Sequence, residues 1–188
     1  MNAPVPPPLE CRSLLVLGGA RSGKSRYALE LAEAASGERL YLATGSPGDE
    51  EMAARIARHQ AERGECWATL EEPLALVDAL RAHARPGRAV LVDCLTFWLA
   101  NAMFAGLDLA LEVDRLRQAI AALNGPVVFV SNEVGAGIVP ETRLGRDFRD
   151  WHGRLNQDAA RACDVVVSVV AGLPQLLKPS PPPRIDLR

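Results

Sequence analysis

The stretch SLLVLGGARSGKS, residues 13–25, decides the fold class of this chain. Its apolar start, residues 13–17, predicts a buried strand, and residues 23–35 predict the helix that follows. Between them, residues 18–25 match the pattern G-x-x-x-x-G-K-[ST], in which backbone N–H groups and a helix N-terminus surround the phosphates of a nucleoside triphosphate. The predicted phosphate-contacting residues are Gly18, Gly19, Ala20, Arg21, Ser22, Gly23, Lys24 and Ser25.

Two side chains of this loop are expected to act in catalysis and metal binding. Lys24 would reach the β- and γ-phosphates, and the Ser25 hydroxyl would bind the Mg²⁺ that accompanies the triphosphate. A carboxylate from another strand completes such a site, and Asp93, directly after the apolar run AVLV at 89–92, is the candidate. The alternative for Asp93 is an N-cap of the helix that begins near Thr96.

Short apolar runs alternate with helical patterns along the chain, and strands that are apolar at every position belong to sheets covered on both faces. The predicted strands are 13–17, 40–43, 89–92, 127–130 and 164–170. The predicted helices are 23–35, 49–63, 73–84, 96–104, 109–123 and 144–162. The expected fold is a three-layer α/β sandwich with a mainly parallel sheet, a P-loop NTPase of the RecA-like type, with ligands at the carboxyl ends of the strands.

Length and composition favour one domain in the cytoplasm. The 188 residues suit a single domain, residues 11–177, between proline-rich tails at 1–10 and 178–188. A net charge of −2 gives no field suited to a nucleic acid partner, and no apolar run is long enough to span a membrane. The four cysteines are scattered without metal-ligand spacing, so we assign them no chemistry.

The predicted helix at 49–63 carries His59 on the same face as Met52 and Ile56. A histidine on such a face is more often a packing residue than a catalyst. A neutral imidazole beside a triphosphate can nevertheless attack phosphorus. The helical spacing leaves both interpretations open.

The loop alone does not separate a GTPase switch, an ATP-driven motor and a small-molecule kinase. No N-K-x-D motif for guanine follows it, which argues against a GTPase switch. A single-function P-loop kinase with a structural His59 and a RecA-like motor acting on a polymer or a protein remain the alternatives.

Several longer motifs resemble one enzyme family over nearly the whole predicted domain. They are GGARSGKS at 18–25, YLAT at 41–44, DEEMAARIARHQAER at 49–63, W-x-T-x-E-E-P at 67–73 and SNEVGAGIVPETRLGRDFRDWHGRLNQ at 131–157. The chain is similar to the bifunctional adenosylcobinamide kinase/adenosylcobinamide-phosphate guanylyltransferases of cobalamin biosynthesis. One departure is Arg58, where some members of that family have a second histidine.

The resemblance implies two reactions, a phosphorylation of adenosylcobinamide by ATP or GTP and a transfer of GMP from GTP through GMP-histidine to adenosylcobinamide phosphate. It places the nucleophile on His59 and implies a homotrimer. Glu71 could accept hydrogen bonds from guanine. The implied nucleotide contacts outside the loop are Ala43, Thr44, Gly45, Gln60, Ala61, Glu62, Arg63, Glu71 and Asp93. The residues leave open the preferred phosphoryl donor and the role of 132–143, either a structural turn or subunit contact, or a segment that handles the corrinoid or closes over the nucleotide.

Overall fold

The structure, a computed structural model, describes residues 9–45 and 66–180. Its strands are β1 (Ser13–Gly18), β2 (Glu38–Ala43), β3 (Trp67–Glu71), β4 (Arg88–Asp93), β5 (Val127–Asn132), β6 (Val165–Val170) and β7 (Leu173–Lys178). Its α-helices are α1 (Lys24–Ala35), α2 (Leu76–His83), α3 (Leu95–Phe104), α4 (Leu109–Ala121) and α5 (Arg143–Ala162), and a 3-10 turn covers Val134–Ala136.

The strands form one sheet in the order β3-β2-β4-β5-β1-β6-β7. All neighbouring pairs are parallel except β6 and β7, which are antiparallel. The predicted mainly parallel α/β fold is therefore confirmed. We call the side where β1 to β5 end the carboxyl edge, and β5 lies there between β1, which precedes the phosphate loop, and β4, which ends in Asp93.

Helices cover both faces of the sheet, and this explains why the central strands are apolar throughout. Alternate residues of β5 show the division. Val127 and Phe129 pack with Leu155 of α5, whereas Val128 and Val130 pack with Ala28 of α1. Each strand residue thus points to the face opposite that of its neighbour, and burial on both faces stabilises the three-layer arrangement.

Two strands, β3 and β7, were not predicted. Both lie at the ends of the strand order and are largely exposed, so neither has the continuous apolar run that marks the inner strands. β7 also contains Pro174, which an edge strand tolerates because one side of its backbone has no neighbouring strand. The predicted helix at 49–63 lies outside the described residues, and the other predicted elements match observed ones within a few residues.

In residues 9–45 and 66–180, no helix is both long and apolar enough to cross a bilayer.

Candidate nucleotide-binding site

The phosphate loop connects the central strand β1 to helix α1, as the sequence predicts. Arg21 and Gly23 have positive φ values of 56° and 94°, which turn the backbone back on itself before the helix begins. The Ser22 amide donates to the Gly19 carbonyl over 3.3 Å. The loop therefore leads its backbone into the N-terminus of α1, the arrangement that binds phosphate.

Lys24 is the first residue of α1 and is only 6% exposed. Its Nζ donates to the carbonyl oxygen of Gly19 over 3.1 Å, which holds the ammonium group against the loop. A lysine held in this position lies beside the phosphates that the loop would enclose. The structure thus brings Lys24 and the loop backbone together, as predicted.

The turn between β6 and β7 supports the phosphate loop from outside. The Gly172 amide donates to the Ser22 carbonyl over 2.8 Å. A Cβ atom on Gly18 would lie 2.7 Å from the carbonyl oxygen of Val169 and 2.5 Å from the Ser22 hydroxyl oxygen. Glycine at position 18 is therefore required by close packing against the end of β6, a contact that the sequence motif does not reveal.

Three predicted site residues stand side by side at the carboxyl edge. Ala43, the last residue of β2, pairs with Glu71 of β3 and with Asp93 of β4. These residues are close in space only through the sheet register, because 22 positions of the chain separate Asp93 from Glu71 and 28 separate Glu71 from Ala43. The structure therefore brings together the residues that the family resemblance assigned to one site.

Asp93 is half-buried, and its Oδ2 accepts a hydrogen bond from the Tyr41 hydroxyl over 2.9 Å. Helix α3 begins at Leu95 with Cys94 as its N-cap and without a side-chain cap. The N-cap interpretation of Asp93 is therefore wrong, because the cap position falls one residue later. Tyr41, which holds the carboxylate, belongs to a motif that the sequence singled out without assigning this role.

The residues present fit a magnesium ion bound mainly by nucleotide phosphates. Within residues 9–45 and 66–180, no group of three histidine, cysteine or acidic side chains could by itself hold a metal. Mg²⁺ prefers oxygen ligands and commonly retains water and substrate phosphates with only one or two protein groups. The Ser25 hydroxyl and the Asp93 carboxylate provide that type of oxygen ligand.

Thr44 is fully buried and holds the end of β2 in place. Its Oγ1 accepts from the Cys94 amide over 2.8 Å and donates to the Cys94 carbonyl over 2.6 Å, while its own carbonyl accepts from Asn101 over 2.7 Å. The hydroxyl is thus used within the protein. Burial raises the pKa of Cys94 to about 11, so this neighbouring thiol is protonated at neutral pH.

The two adjacent glutamates after β3 differ in role. Glu72 Oε1 accepts the amides of Leu74 over 3.0 Å and Ala75 over 2.7 Å, so it shapes the chain before α2. Glu71 is exposed at the edge of the sheet. The structure therefore leaves Glu71 as the glutamate that can face a ligand at the carboxyl edge.

A polar cluster with a buried centre lies at the end of β5 and was missed by the sequence analysis. It consists of Thr96, Ser131, Asn132, His152 and Asn156, which come from α3, β5 and α5. His152 is 1% exposed, and burial lowers its pKa to about 4. Because α5 contains many charged residues, this histidine was not singled out from the sequence. Its place on the apolar face of the helix was the signal that could have indicated burial.

The segment 132–143 forms the 3-10 turn and the approach to α5. Thr142 accepts the Gly145 amide over 3.1 Å and so caps α5, and Arg146 donates to the carbonyls of Pro140 and Glu141. Ile138 is 96% exposed. The last part of this segment is therefore a structural helix start, and the role of its exposed part stays open.

Five predicted site residues lie outside the described residues. They are the proposed nucleophile His59 and the implied nucleotide contacts Gln60, Ala61, Glu62 and Arg63. Their roles stay predictions.

A parallel sheet with a glycine-rich loop, a buried lysine at the helix N-terminus and a carboxylate two strands away defines a P-loop nucleotide-binding protein. The family model described as cobinamide kinase / cobinamide phosphate guanyltransferase matches residues 14–177. The chain belongs to this family.

Two curated relatives illustrate the similarity. The bifunctional adenosylcobalamin biosynthesis protein CobP of Pseudomonas aeruginosa is 47% identical over 169 residues, 89% of this chain and 98% of the relative. The bifunctional adenosylcobalamin biosynthesis protein CobU of Escherichia coli is 41% identical over 175 residues, 85% of this chain and 96% of the relative. Among solved structures, an ATPase domain superposes with a TM-score of 0.44 at 12% identity, over 84% of this chain and 68% of that chain.

Proposed function

We propose that this enzyme performs both reactions of its family at one nucleotide site: the phosphorylation of adenosylcobinamide and the transfer of GMP to the resulting phosphate in cobalamin biosynthesis. The observation that carries the proposal is the row of Glu71, Ala43 and Asp93 at the same edge of the sheet as the phosphate loop. The phosphates of one nucleotide can therefore bind to the loop while its base and sugar contact the outer strands.

In the kinase step, the hydroxyl oxygen of the substrate's aminopropanol arm attacks the γ-phosphorus of ATP or GTP. The bond to the β–γ bridging oxygen breaks, the nucleoside diphosphate leaves, and the hydroxyl proton passes to solvent. Lys24 and the loop amides stabilise negative charge on the transferred group and on the leaving diphosphate. Mg²⁺ supplies further charge neutralisation when bound, and Ser25 and Asp93 are the residues that would hold it.

In the guanylyl step, an imidazole nitrogen of His59 attacks the α-phosphorus of GTP, and pyrophosphate leaves. The same loop that holds the γ-phosphate then stabilises the leaving pyrophosphate, so one cradle suits both reactions. An oxygen of adenosylcobinamide phosphate next attacks the GMP phosphorus, the P–N bond breaks, and free histidine and adenosylcobinamide-GDP result. Glu71, exposed on β3, would accept N–H groups of guanine.

The folded unit 11–177, a cytoplasmic location and a homotrimer are further proposals. The location rests on the composition of the chain, and the homotrimer rests on the family resemblance. Sedimentation velocity at micromolar concentration tests the oligomer, for which we expect a mass three times that of the 20.2 kDa chain. A single monomeric species would contradict it.

The decisive experiment is incubation with GTP labelled at the α-phosphorus in the presence of Mg²⁺. We expect label on the protein that is lost in acid and retained in base, as a phosphoramidate requires. His59→Ala should abolish the label and keep phosphorylation of adenosylcobinamide by ATP. The matched control is His83→Ala, because His83 lies beside Arg88 at the opposite end of β4.

Three outcomes would overturn parts of the proposal. Absence of label in the wild type refutes the guanylyl step, and equal loss in His83→Ala refutes a specific role for His59. ATP turnover that depends on a nucleic acid or a protein, without phosphorylation of adenosylcobinamide, would identify a motor instead.

Removal of the metal provides a second test of the same site. EDTA should abolish both reactions, and Asp93→Asn should raise the Mg²⁺ concentration needed for half-maximal activity. Tyr41→Phe removes the hydroxyl that holds Asp93 but leaves the carboxylate, so its Mg²⁺ requirement should change less. An unchanged requirement in Asp93→Asn would remove Asp93 from the proposed metal site.

A further inference from the structure

We propose that Asn132 is a phosphate-contacting residue of the kinase step and that Thr96 and His152 are positioning residues that hold its amide in place. The inference rests on the proposed kinase reaction. It assigns a role to the end of β5, which the loop motif and the predicted metal carboxylate leave without one.

Asn132 occupies the gap between the two parts of the proposed site. It is the last residue of β5 and pairs with Gly18, the first residue of the phosphate loop. The other neighbour of β5 is β4, which carries Asp93. Adjacent strands lie about 5 Å apart, so Asn132 is within one strand of the loop on one side and of the metal carboxylate's strand on the other.

The alternation of β5 turns Asn132 toward the nucleotide. Val128 and Val130 pack on the face covered by α1, the helix that follows the phosphate loop, so Asn132 falls on the same face. Ser131 points to the opposite face, where its hydroxyl contacts His152 and Asn156. Asp93 also falls on the α1 face, because Leu91 packs there. The alternation therefore places Asn132 and Asp93 on the side of the sheet that is covered by α1, the helix that begins with Lys24.

Hydrogen bonds fix the Asn132 amide. Thr96 Oγ1 accepts both the Asn132 backbone N–H and its Nδ2–H, each over 3.1 Å. The Asn132 carbonyl accepts from Asn156 Nδ2 over 2.9 Å. A carboxamide nitrogen has two hydrogens, and the contact with Thr96 uses one, so the other can donate to a phosphate oxygen.

His152 completes the network by directing the Thr96 hydroxyl. Thr96 Oγ1 already accepts two N–H groups, so its own hydrogen points to His152 Nε2, 3.0 Å away. This contact, shorter than the 3.4 Å between Nε2 and the Ser131 hydroxyl that donates to Asn156, assigns Nε2 as the acceptor and the ring hydrogen to Nδ1. Among the residues that the structure describes, Nδ1 has no hydrogen-bond partner.

An unpaired buried N–H costs stability, so packing alone does not account for a histidine at this position. A leucine would fill the site without that cost. The benefit of the histidine is the acceptor at Nε2, which orients Thr96 and through it the amide that faces the phosphate.

The test measures phosphorylation of adenosylcobinamide by ATP in single turnover, together with nucleotide binding. Asn132→Ala should lower the rate constant about 10²-fold, as loss of one preorganised donor does, with the Kd for ATP changed much less. Thr96→Val should lower the rate roughly tenfold through a misplaced amide. Thr96→Ser keeps the hydroxyl and should retain most of the activity.

Two substitutions of His152 test the next residue of the hydrogen-bond network in the same way. His152→Gln places an amide oxygen near the position of Nε2 and should retain most of the rate. His152→Leu should lower the rate roughly tenfold, as Thr96→Val does. The unfolding midpoint of His152→Leu should be no lower than that of His152→Gln. A purely structural role predicts rates that follow the unfolding midpoints instead.

The outcomes separate this inference from the proposed function. No phosphorylation by the wild type refutes the proposed kinase reaction. An active wild type with Asn132→Ala within about threefold of its rate refutes the role of Asn132 alone. Equal losses in Thr96→Ser and Thr96→Val, or in His152→Gln and His152→Leu, refute the positioning role.

Discussion

At the scale of single residues, the two glycines that open the phosphate loop have different tasks. A Cβ on Gly18 would meet the Val169 carbonyl oxygen at 2.7 Å, whereas a Cβ on Gly19 would have no heavy atom within 4 Å. We expect Gly18→Ala to lower the free energy of unfolding by about 1–3 kcal/mol through overpacking. Gly19→Ala should change it by less than about 0.5 kcal/mol. Urea unfolding of both variants provides the comparison, and equal destabilisation would contradict this account.

His152 predicts a pH dependence of stability. Burial lowers its pKa from 6.5 to about 4, so the unfolded chain binds a proton in a range where the folded chain does not. Stability contributed by this group is present above pH 6.5 and is lost as the pH falls toward 4, by about 1.4 kcal/mol per unit.

As the pH falls from 7 to 5, His152 should therefore lower the free energy of unfolding by about 2 kcal/mol. His152→Gln has no titrating ring, so its loss over the same interval should be smaller by that amount, while the carboxylates contribute equally to both proteins. Parallel curves of unfolding free energy against pH would show that His152 is not buried in its neutral form.

At the scale of elements, the predicted strands were those buried on both faces, because only these have uninterrupted apolar runs. β1, with the phosphate loop after it, could be predicted almost to the residue. β3 and β7 could not, since each packs at an end of the sheet and exposes most of its side chains. The proline-rich tail was predicted to begin at Lys178, which is instead the last residue of β7.

In the candidate site, too, the residues next to clear sequence signals could be predicted and those that depend on strand order could not. Lys24 could be predicted because it belongs to the loop motif between β1 and α1, and Asp93 because it ends an apolar strand. Asn132 and Thr96 could not, because their positions depend on the strand order β4-β5-β1 and on a histidine from α5, 20 residues beyond Asn132 in the chain. Local sequence does not encode which strands become neighbours.

The turn of the β6–β7 hairpin yields a prediction at this scale. Its two residues, Ala171 and Gly172, have positive φ values of 51° and 81°, and the first is strained for a residue with a Cβ. Ala171→Asn should therefore stabilise the protein by about 0.5–1 kcal/mol, since asparagine tolerates this conformation better. Gly172→Ala should destabilise it by about 1 kcal/mol.

Gly37→Ala is the control for these turn variants, because Gly37 has no positive φ and open space around its Cβ position. Thermal unfolding of the three variants tests the assignment. Destabilisation by Ala171→Asn would contradict it. Since the Gly172 amide also holds the Ser22 carbonyl, Gly172→Ala should weaken nucleotide binding as well, whereas Gly37→Ala should not.

At the scale of the whole molecule, a bound nucleotide would connect parts of the sheet that are distant in sequence. The loop after β1, the end of β2 and Asp93 on β4 all lie at the carboxyl edge, so the nucleotide contacts both halves of the strand order. A ligand that binds only the folded state stabilises it by about 2.7 kcal/mol at a concentration one hundred times its Kd. For a domain of this size the midpoint should rise by roughly 5–10 °C.

This stabilisation separates binding from chemistry when it is measured with a GTP analogue whose α- and β-phosphates are joined by a methylene group. His59→Ala should keep the full rise in melting temperature, because the nucleophile is not needed to bind the phosphates. Lys24→Ala should lose most of it, since the ammonium group is 6% exposed and held against the loop where the phosphates bind. EDTA should reduce the rise in the wild type, and Asp93→Asn should need a higher Mg²⁺ concentration than the wild type to reach the same rise. A rise that is equal in the wild type and in Lys24→Ala would place the nucleotide somewhere other than this loop.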